Sequence, residues 1–257
     1  EQRSLPSWSY ETLESITSTI RKYFAPILIG RNPFDLNAIH RDMSKAITPA
    51  VSNGMPFARA AIDIALHDVA GKISGLPIHA LLGGKLRDVQ ELCWAIGVDE
   101  PDVMAETASQ WSDGLCFKVK VGGDPKLDVR RIAAVRSAAP DMPLWLDANQ
   151  SYRPAAATML FELLRETPNI HSFEQPTESV DWLGMGRIRE KCPYPVAIDE
   201  GCFSAYDLAR VVKLGVADQV VLKVCKAGGL QNARNSAQIA IANGMGILGS
   251  GLTDCGV

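Results

Sequence analysis

The sequence has no apolar run near the ~18 residues needed to cross a bilayer. No charged segment followed by a short apolar one opens it, so no secretory signal is expected. It has no CxxC pair, so its six cysteines lack the spacing of a zinc or redox motif. Those cysteines (Cys93, Cys116, Cys192, Cys202, Cys225 and Cys255) are scattered. They read as small, buried, reduced side chains, which points to the cytoplasm. There is no large excess of either charge: 26 basic and 29 acidic residues leave −3. A nucleic-acid or membrane-surface protein would need a basic face, so neither partner is expected. No GxGxxG follows the first strand-like run and no P-loop occurs, so a nucleotide fold gains no support.

What is present is an ordinary globular composition, 47% apolar and 21% charged over 257 residues. That length fits one or two domains, or a single α/β barrel. Residues 1–87 read as helical. Tyr10 to Phe24 is amphipathic. Phe57 to Ile73 carries apolar residues at helical spacing, with Ala61, Ile64, Ala65 and Val69 expected on the buried face. Gly75-Leu76-Pro77 should end that helix. Leu81-Leu82-Gly83-Gly84 then leads to Arg87-Asp88, the expected boundary between a domain at 1–87 and one at 88–257.

After the boundary, short β-rich runs alternate with amphipathic stretches. The runs are 92–98, 116–121, 144–147, 172–174, 196–199, 219–224 and 246–250, with helices such as 125–138, 153–166, 205–214 and 230–243 between them. Such βα units imply a parallel sheet. Charged residues recur at the run ends: Lys118 and Lys120, then Asp147, Glu174, Asp199 and Lys223. The spacing is 24–27 residues, one βα unit each time. In a barrel, successive strand ends converge on one mouth, so this recurrence favours a (β/α) barrel over an open sheet.

Asp147, Glu174 and Asp199 each end an apolar run. One such acid could simply cap the next helix. Three at the barrel period would repel one another unless a cation neutralised them, and an all-oxygen set selects a hard ion such as Mg²⁺. Glu200 is an adjacent candidate for the third ligand. Lys118 and Lys120 share one face of a strand. They could belong to a solvated edge strand, or they could line a site where mutual repulsion lowers one amine into the range of a base. Lys223 interrupts an apolar strand across the barrel. Lys226, at the start of the following loop, is expected to be solvated or to make a structural contact. A carboxylate substrate on Mg²⁺ would have its α-proton acidified, and two facing lysines could take and return a proton on opposite faces.

Five motifs, Phe117-Lys118-Val119-Lys120, Leu146-Asp147-Ala148-Asn149, Phe173-Glu174-Gln175-Pro176, Ile198-Asp199-Glu200 and Leu222-Lys223 through Gly229, together resemble the enolase superfamily. The closest likeness is to its mandelate racemase/muconate lactonizing branch. Ala58 through Asp68, and Leu82-Gly83-Gly84, resemble the helical signature that precedes the barrel there. The resemblance implies that Asp147, Glu174 and Asp199 bind Mg²⁺. It makes Lys120 the base, Lys118 its electrostatic partner and Lys223 the opposing acid/base, which is the Lys/Lys subgroup. That subgroup holds cycloisomerases, dipeptide epimerases, N-acylamino-acid racemases, succinylbenzoate synthases and hydroxyproline-type epimerases and dehydratases. The expected activity is racemisation, epimerisation or dehydration of an amino-acid derivative, with a leaning toward the hydroxyproline type. The alternatives are a muconate-type cycloisomerase and a catalytically inactive fragment. Asp254 could contact a substrate amine or hydroxyl, or cap a loop. The four histidines (His40, His67, His79 and His171) lie on no late strand and are expected to be structural or superficial. The resemblance further implies a homo-oligomer acting on a small carboxylate. It also implies a partial cap domain and a barrel of about seven units, the eighth being absent.

Overall fold

A computed structural model describes residues 6, 8–50, 52–111 and 113–252. The first part is helical: α1 (Leu13–Thr19), a π turn (Ile20–Phe24), α2 (Ala25–Leu28), α3 (Leu36–Ala46), α4 (Pro56–Ser74) and α5 (Ile78–Leu81). Pro26 cannot donate a backbone bond, and the π turn takes up the misfit, with Ala25 N–H reaching back to Ile20 O. Gly75 ends α4 in the left-handed conformation (φ 67°), the expected stop.

Seven strands follow: β1 (Cys93–Ile96), β2 (Cys116–Lys120), β3 (Leu144–Asp147), β4 (Ile170–Glu174), β5 (Val196–Ile198), β6 (Gln219–Leu222) and β7 (Gly246–Gly249). Between or after them lie α6 (Pro101–Ser109), α7 (Pro125–Ala138), α8 (Pro154–Leu163), α9 (Trp182–Arg189), α10 (Ala205–Leu214), α11 (Val224–Ala227) and α12 (Leu230–Ala242). Every strand pairs in parallel with the next in sequence, giving the order β1-β2-β3-β4-β5-β6-β7. A doubly wound sheet would reverse direction partway, and this one never does. The described residues thus form a half-barrel of seven parallel strands with helices outside.

Alternation along the strands separates two apolar layers. Phe117, Val119, Leu144, Leu146, Phe173 and Ile198 point outward into the core under the helices. Cys116, Trp145, Ala197 and Val221 form a thinner cluster on the other, inward face. Because side chains two apart share a face, Lys118 and Lys120 follow Cys116 inward, and Asp147 follows Trp145.

Helix α4 corrects the expected pattern. Its buried side is Phe57, Ala60, Asp63, His67 and Ala70, while Val69 is exposed. The polar pair can be buried because it is fully engaged. Asp63 contacts His40 Nε2 at 2.7 Å and His67 Nδ1 at 3.2 Å. Its Oδ1 also accepts from Leu230 N at 2.6 Å, capping α12 from another part of the chain. Only glycine fits at 229, where φ is +123° and a Cβ would lie 2.3 Å from Asp63 Cγ. Glu11 caps α4 in turn, accepting from Phe57 N at 2.8 Å and Ala58 N at 3.1 Å. His79 and His171 are exposed.

This cluster makes stability depend on pH. Burial opposes the Asp63 charge, but hydrogen bonds from His40 and His67 outweigh it and hold the pKa at about 2. A folded value below the unfolded one adds stability at higher pH, and that stability is lost as pH falls through about 2. The shift from 3.8 corresponds to about 2 kcal/mol. His67 has the opposite sign. Its bond to Asp63 raises its pKa, so its share is complete below about pH 6 and is lost as pH rises past the raised value. Urea unfolding should show a loss of about 1 kcal/mol between about pH 5 and pH 3 that Asp63→Asn lacks. Identical pH profiles for the two proteins would contradict this reading.

Candidate active site

The C-terminal ends of β2 to β6 gather six of the residues singled out in the sequence. Lys118 Nζ lies 2.9 Å from Asp147 Oδ2 and 2.8 Å from Glu174 Oε2. Lys120 Nζ donates to Asp147 Oδ2 and to Asn149 Oδ1, both at 2.6 Å. Lys223 donates to Asp199 Oδ2. Asp147, Glu174 and Asp199 are buried. The three acids therefore stand on neighbouring strands, with Lys118 and Lys120 on one flank and Lys223 on the other.

The lysines differ in access. The Lys120 side chain is 31% exposed and that of Lys118 is 12% exposed. Lys223 is 4% exposed, with its ammonium 4.5 Å from the Trp8 ring centroid. Mutual repulsion is not what governs Lys118. Burial works against its charge, but Glu174 and Asp147 outweigh burial and hold the ammonium above the usual lysine range. A face of Trp145 supports it, 4.2 Å away.

For Lys226 the structure decides between solvation and a structural contact. It is buried, not solvated, and donates to Asp199 Oδ1 and Asp199 O at 2.6 Å and to Val221 O at 3.0 Å. The short helix α11 turns it back beneath β5 and β6. Asp199 is thus held by two buried ammonium groups, which keep it far below the carboxylate range although burial opposes its charge.

Three further residues complete the site, and sequence reasoning missed them. Gln175, buried at φ 34°, accepts from Asp199 N and Gly201 N through Oε1 and so fixes the turn after β5. Asn149, at φ 40°, joins Lys120 to Glu200, its Nδ2 donating to Glu200 Oε1 at 2.8 Å. Trp8 donates from Nε1 to the same oxygen at 3.2 Å and stacks between Phe57 and Phe203. Asp-Ala-Asn and Glu-Gln-Pro after apolar runs were the available signals for Asn149 and Gln175. Trp8, 192 residues from Glu200, had none. Asp254 lies outside the described residues.

The acids suit a hard divalent cation. Glu174 has too little positive charge around it. Burial first, then Asp147 and Asp199, push its pKa well above the carboxylate range, and Lys118 offsets this only in part. Among the described residues its Oε2 has the Lys118 ammonium 2.8 Å away, and Glu200 Oε2 has no hydrogen-bond partner. An unpartnered buried oxygen on Glu200, beside the three buried carboxylates, matches the oxygen-donor chemistry of Mg²⁺. Among the described residues no three His, Cys, Asp or Glu side chains are gathered at ligand distances. The lysines take the acceptor oxygens instead.

Comparison with known proteins defines the class. Residues 6–83 match the mandelate racemase / muconate lactonizing enzyme N-terminal domain, and residues 86–257 match the enolase C-terminal domain-like family. The chain belongs to the mandelate racemase/muconate lactonizing branch of the enolase superfamily. It is 36% identical over 226 residues to the N-succinyl-L-Arg/Lys racemase of Bacillus cereus, covering 87% of this chain and 60% of that relative. It is 30% identical over 250 residues to muconate cycloisomerase 1 of Rhodococcus opacus, covering 95% of this chain and 65% of that protein. Among solved structures, a dipeptide epimerase from Enterococcus faecalis, complexed with Mg and the dipeptide L-Leu-L-Tyr, superposes with a TM-score of 0.89 at 32% identity. That match covers 98% of this chain and 70% of the epimerase. The chain therefore spans 60–65% of the length of these two curated relatives. Among the described residues no helix is long and apolar enough to cross a membrane.

Proposed function

We propose that the full-length protein removes the α-proton of a small carboxylate substrate in a Mg²⁺-dependent reaction, and so racemises or epimerises an amino-acid derivative in the cytoplasm. The observation that carries this is the Lys/Asp/Glu/Asp/Lys ring at the ends of five consecutive strands. In this reading residues 1–87 are the helical part of a cap and residues 88–257 are the barrel.

Asp147, Glu174 and Asp199 would hold the ion, with Glu200 beside them. Mg²⁺, when bound, supplies the positive charge that acidifies a proton next to a carboxylate. Lys120 is the base on the β2 side, since it is the more accessible of the two lysines there. Lys118, fixed between Asp147 and Glu174, sets the local potential. Lys223 holds a proton on the β6 side. Two amines on opposite flanks allow a proton to leave one face of the α-carbon and another to arrive on the other. This is the Lys/Lys arrangement of the superfamily. Gln175 and Asn149 orient the carboxylates, and Asp254 is a candidate for contact with a substrate amine or hydroxyl.

The relatives described above favour an N-acylated or peptide-linked amino acid. The hydroxyproline type has no counterpart among them. A muconate-type cycloisomerase is the second reading, supported by the Rhodococcus relative.

The test is to incubate single enantiomers of N-succinyl amino acids and dipeptides with the full-length protein and Mg²⁺, then follow the products by chiral chromatography. Formation of the opposite epimer supports the proposal. Turnover of muconate with no epimer formed from any member of the panel would overturn it in favour of cycloisomerisation.

A further inference from the structure

Two thiols meet at the N-terminal ends of the strands, away from the strand-end ring. Cys93, first in β1, and Cys116, first in β2, are register partners. Both point to the inner face, packed with Trp145, Ala197 and Val221. Their Sγ atoms are 2.8 Å apart, and both cysteines are free. Neighbouring strands run about 4.8 Å apart, within the Cα separation of about 4.4–6.8 Å that a disulfide spans. The side chains already aim at each other, so closure to about 2.05 Å needs a small side-chain rotation and no change of register.

We propose that Cys93 and Cys116 form an oxidisable dithiol, which closes to a reversible disulfide on meeting a low-molecular-weight disulfide. The proposal does not depend on the reaction proposed above. Cys93 is the attacking sulfur, being half-buried where Cys116 is buried. The Cys116 thiol donates to it, burial opposes its charge, and Lys118 adds a nearby positive charge, so its pKa falls to about 7. Cys116 is raised by the same contact. By contrast, burial pushes Cys192 up to about 11 and Cys202 up to about 12, which leaves both as thiols.

The chemistry balances in two exchanges. The Cys93 thiolate attacks one sulfur of the small disulfide, the S–S bond breaks, and one small thiolate leaves. The Cys116 sulfur then loses its proton and attacks Cys93 Sγ, releasing the second small thiolate. The pair gives up two electrons and two protons, and the small disulfide becomes two thiols. In a reducing cytoplasm such a bond is transient, which suits a sensor better than a staple. It would tie β1 to β2 two residues below Lys118.

Trypsin releases both cysteines on one peptide, residues 88–118, because no Lys or Arg lies between Arg87 and Lys118. The native full-length protein is treated with oxidised glutathione, alkylated with iodoacetamide, digested and weighed. The expected peptide is lighter by two hydrogens than the dithiol form, resists alkylation, and regains both thiols with dithiothreitol. Cys116→Ser should instead retain a glutathionyl group on Cys93, since the resolving sulfur is gone. A wild-type peptide that still takes two alkyl groups, or that keeps a stable glutathionyl adduct, overturns the proposal.

Discussion

Lys120→Ala is expected to slow racemisation by about 10²- to 10⁴-fold, the usual contribution of a positioned acid or base, while the fold stays intact. The lysine is 31% exposed and, among the described residues, bonds to Asp147 Oδ2 and Asn149 Oδ1. Asp147 keeps Lys118 as a partner after the substitution. The stability cost is therefore about 1 kcal/mol or less, as for a partly exposed ion pair. Lys223→Ala should slow racemisation by a similar factor, because a two-base exchange needs both flanks. The two variants differ in which enantiomer still exchanges its α-proton with solvent. Each retains exchange for the form whose proton faces the remaining lysine. Equal, undiminished racemisation by either variant would remove that lysine from the mechanism. Full turnover of one substrate by a single-lysine variant would point to cycloisomerisation.

Asp199→Ala is expected to destabilise the protein by about 3–5 kcal/mol, the range for leaving a buried charge without its partner. Two ammonium groups depend on this carboxylate: Lys223, 4% exposed, and Lys226, 2% exposed. Lys226 keeps its bonds to Asp199 O and Val221 O, which relieve part of the loss. Asp199→Asn preserves an acceptor and should cost less. Adding Lys226→Met to Asp199→Ala removes one stranded charge and should recover stability. Urea unfolding of the four proteins, without metal, measures all of this. If Asp199→Ala unfolds like the parent, the two lysines are not held as described.

Particular residues show what was legible in the sequence. Asp147, Glu174 and Lys223 were visible because a charge at the end of an apolar run is expensive and conspicuous, and their common spacing implied one mouth. The strand order followed from the same spacing. The buried face of α4 was misread because hydropathy cannot show that Asp63 and His67 find partners on α3 and at the start of α12. The buried contacts of Lys226 were not legible because a single helical turn reverses its direction. Gln175 and Asn149 carry no charge, and their role rests on positive φ values that local composition does not reveal. Trp8 reaches the site only through tertiary folding.

The most direct test of the account is α-proton exchange. The full-length protein is placed in D₂O with N-succinyl amino acids and dipeptides, and loss of the α-proton signal is followed by NMR with Mg²⁺ and after chelation. The account predicts exchange that requires Mg²⁺ and disappears in a Lys120→Ala/Lys223→Ala double variant. Exchange that persists after chelation, or in the double variant, or no exchange from any member of the panel at saturating Mg²⁺, would contradict it.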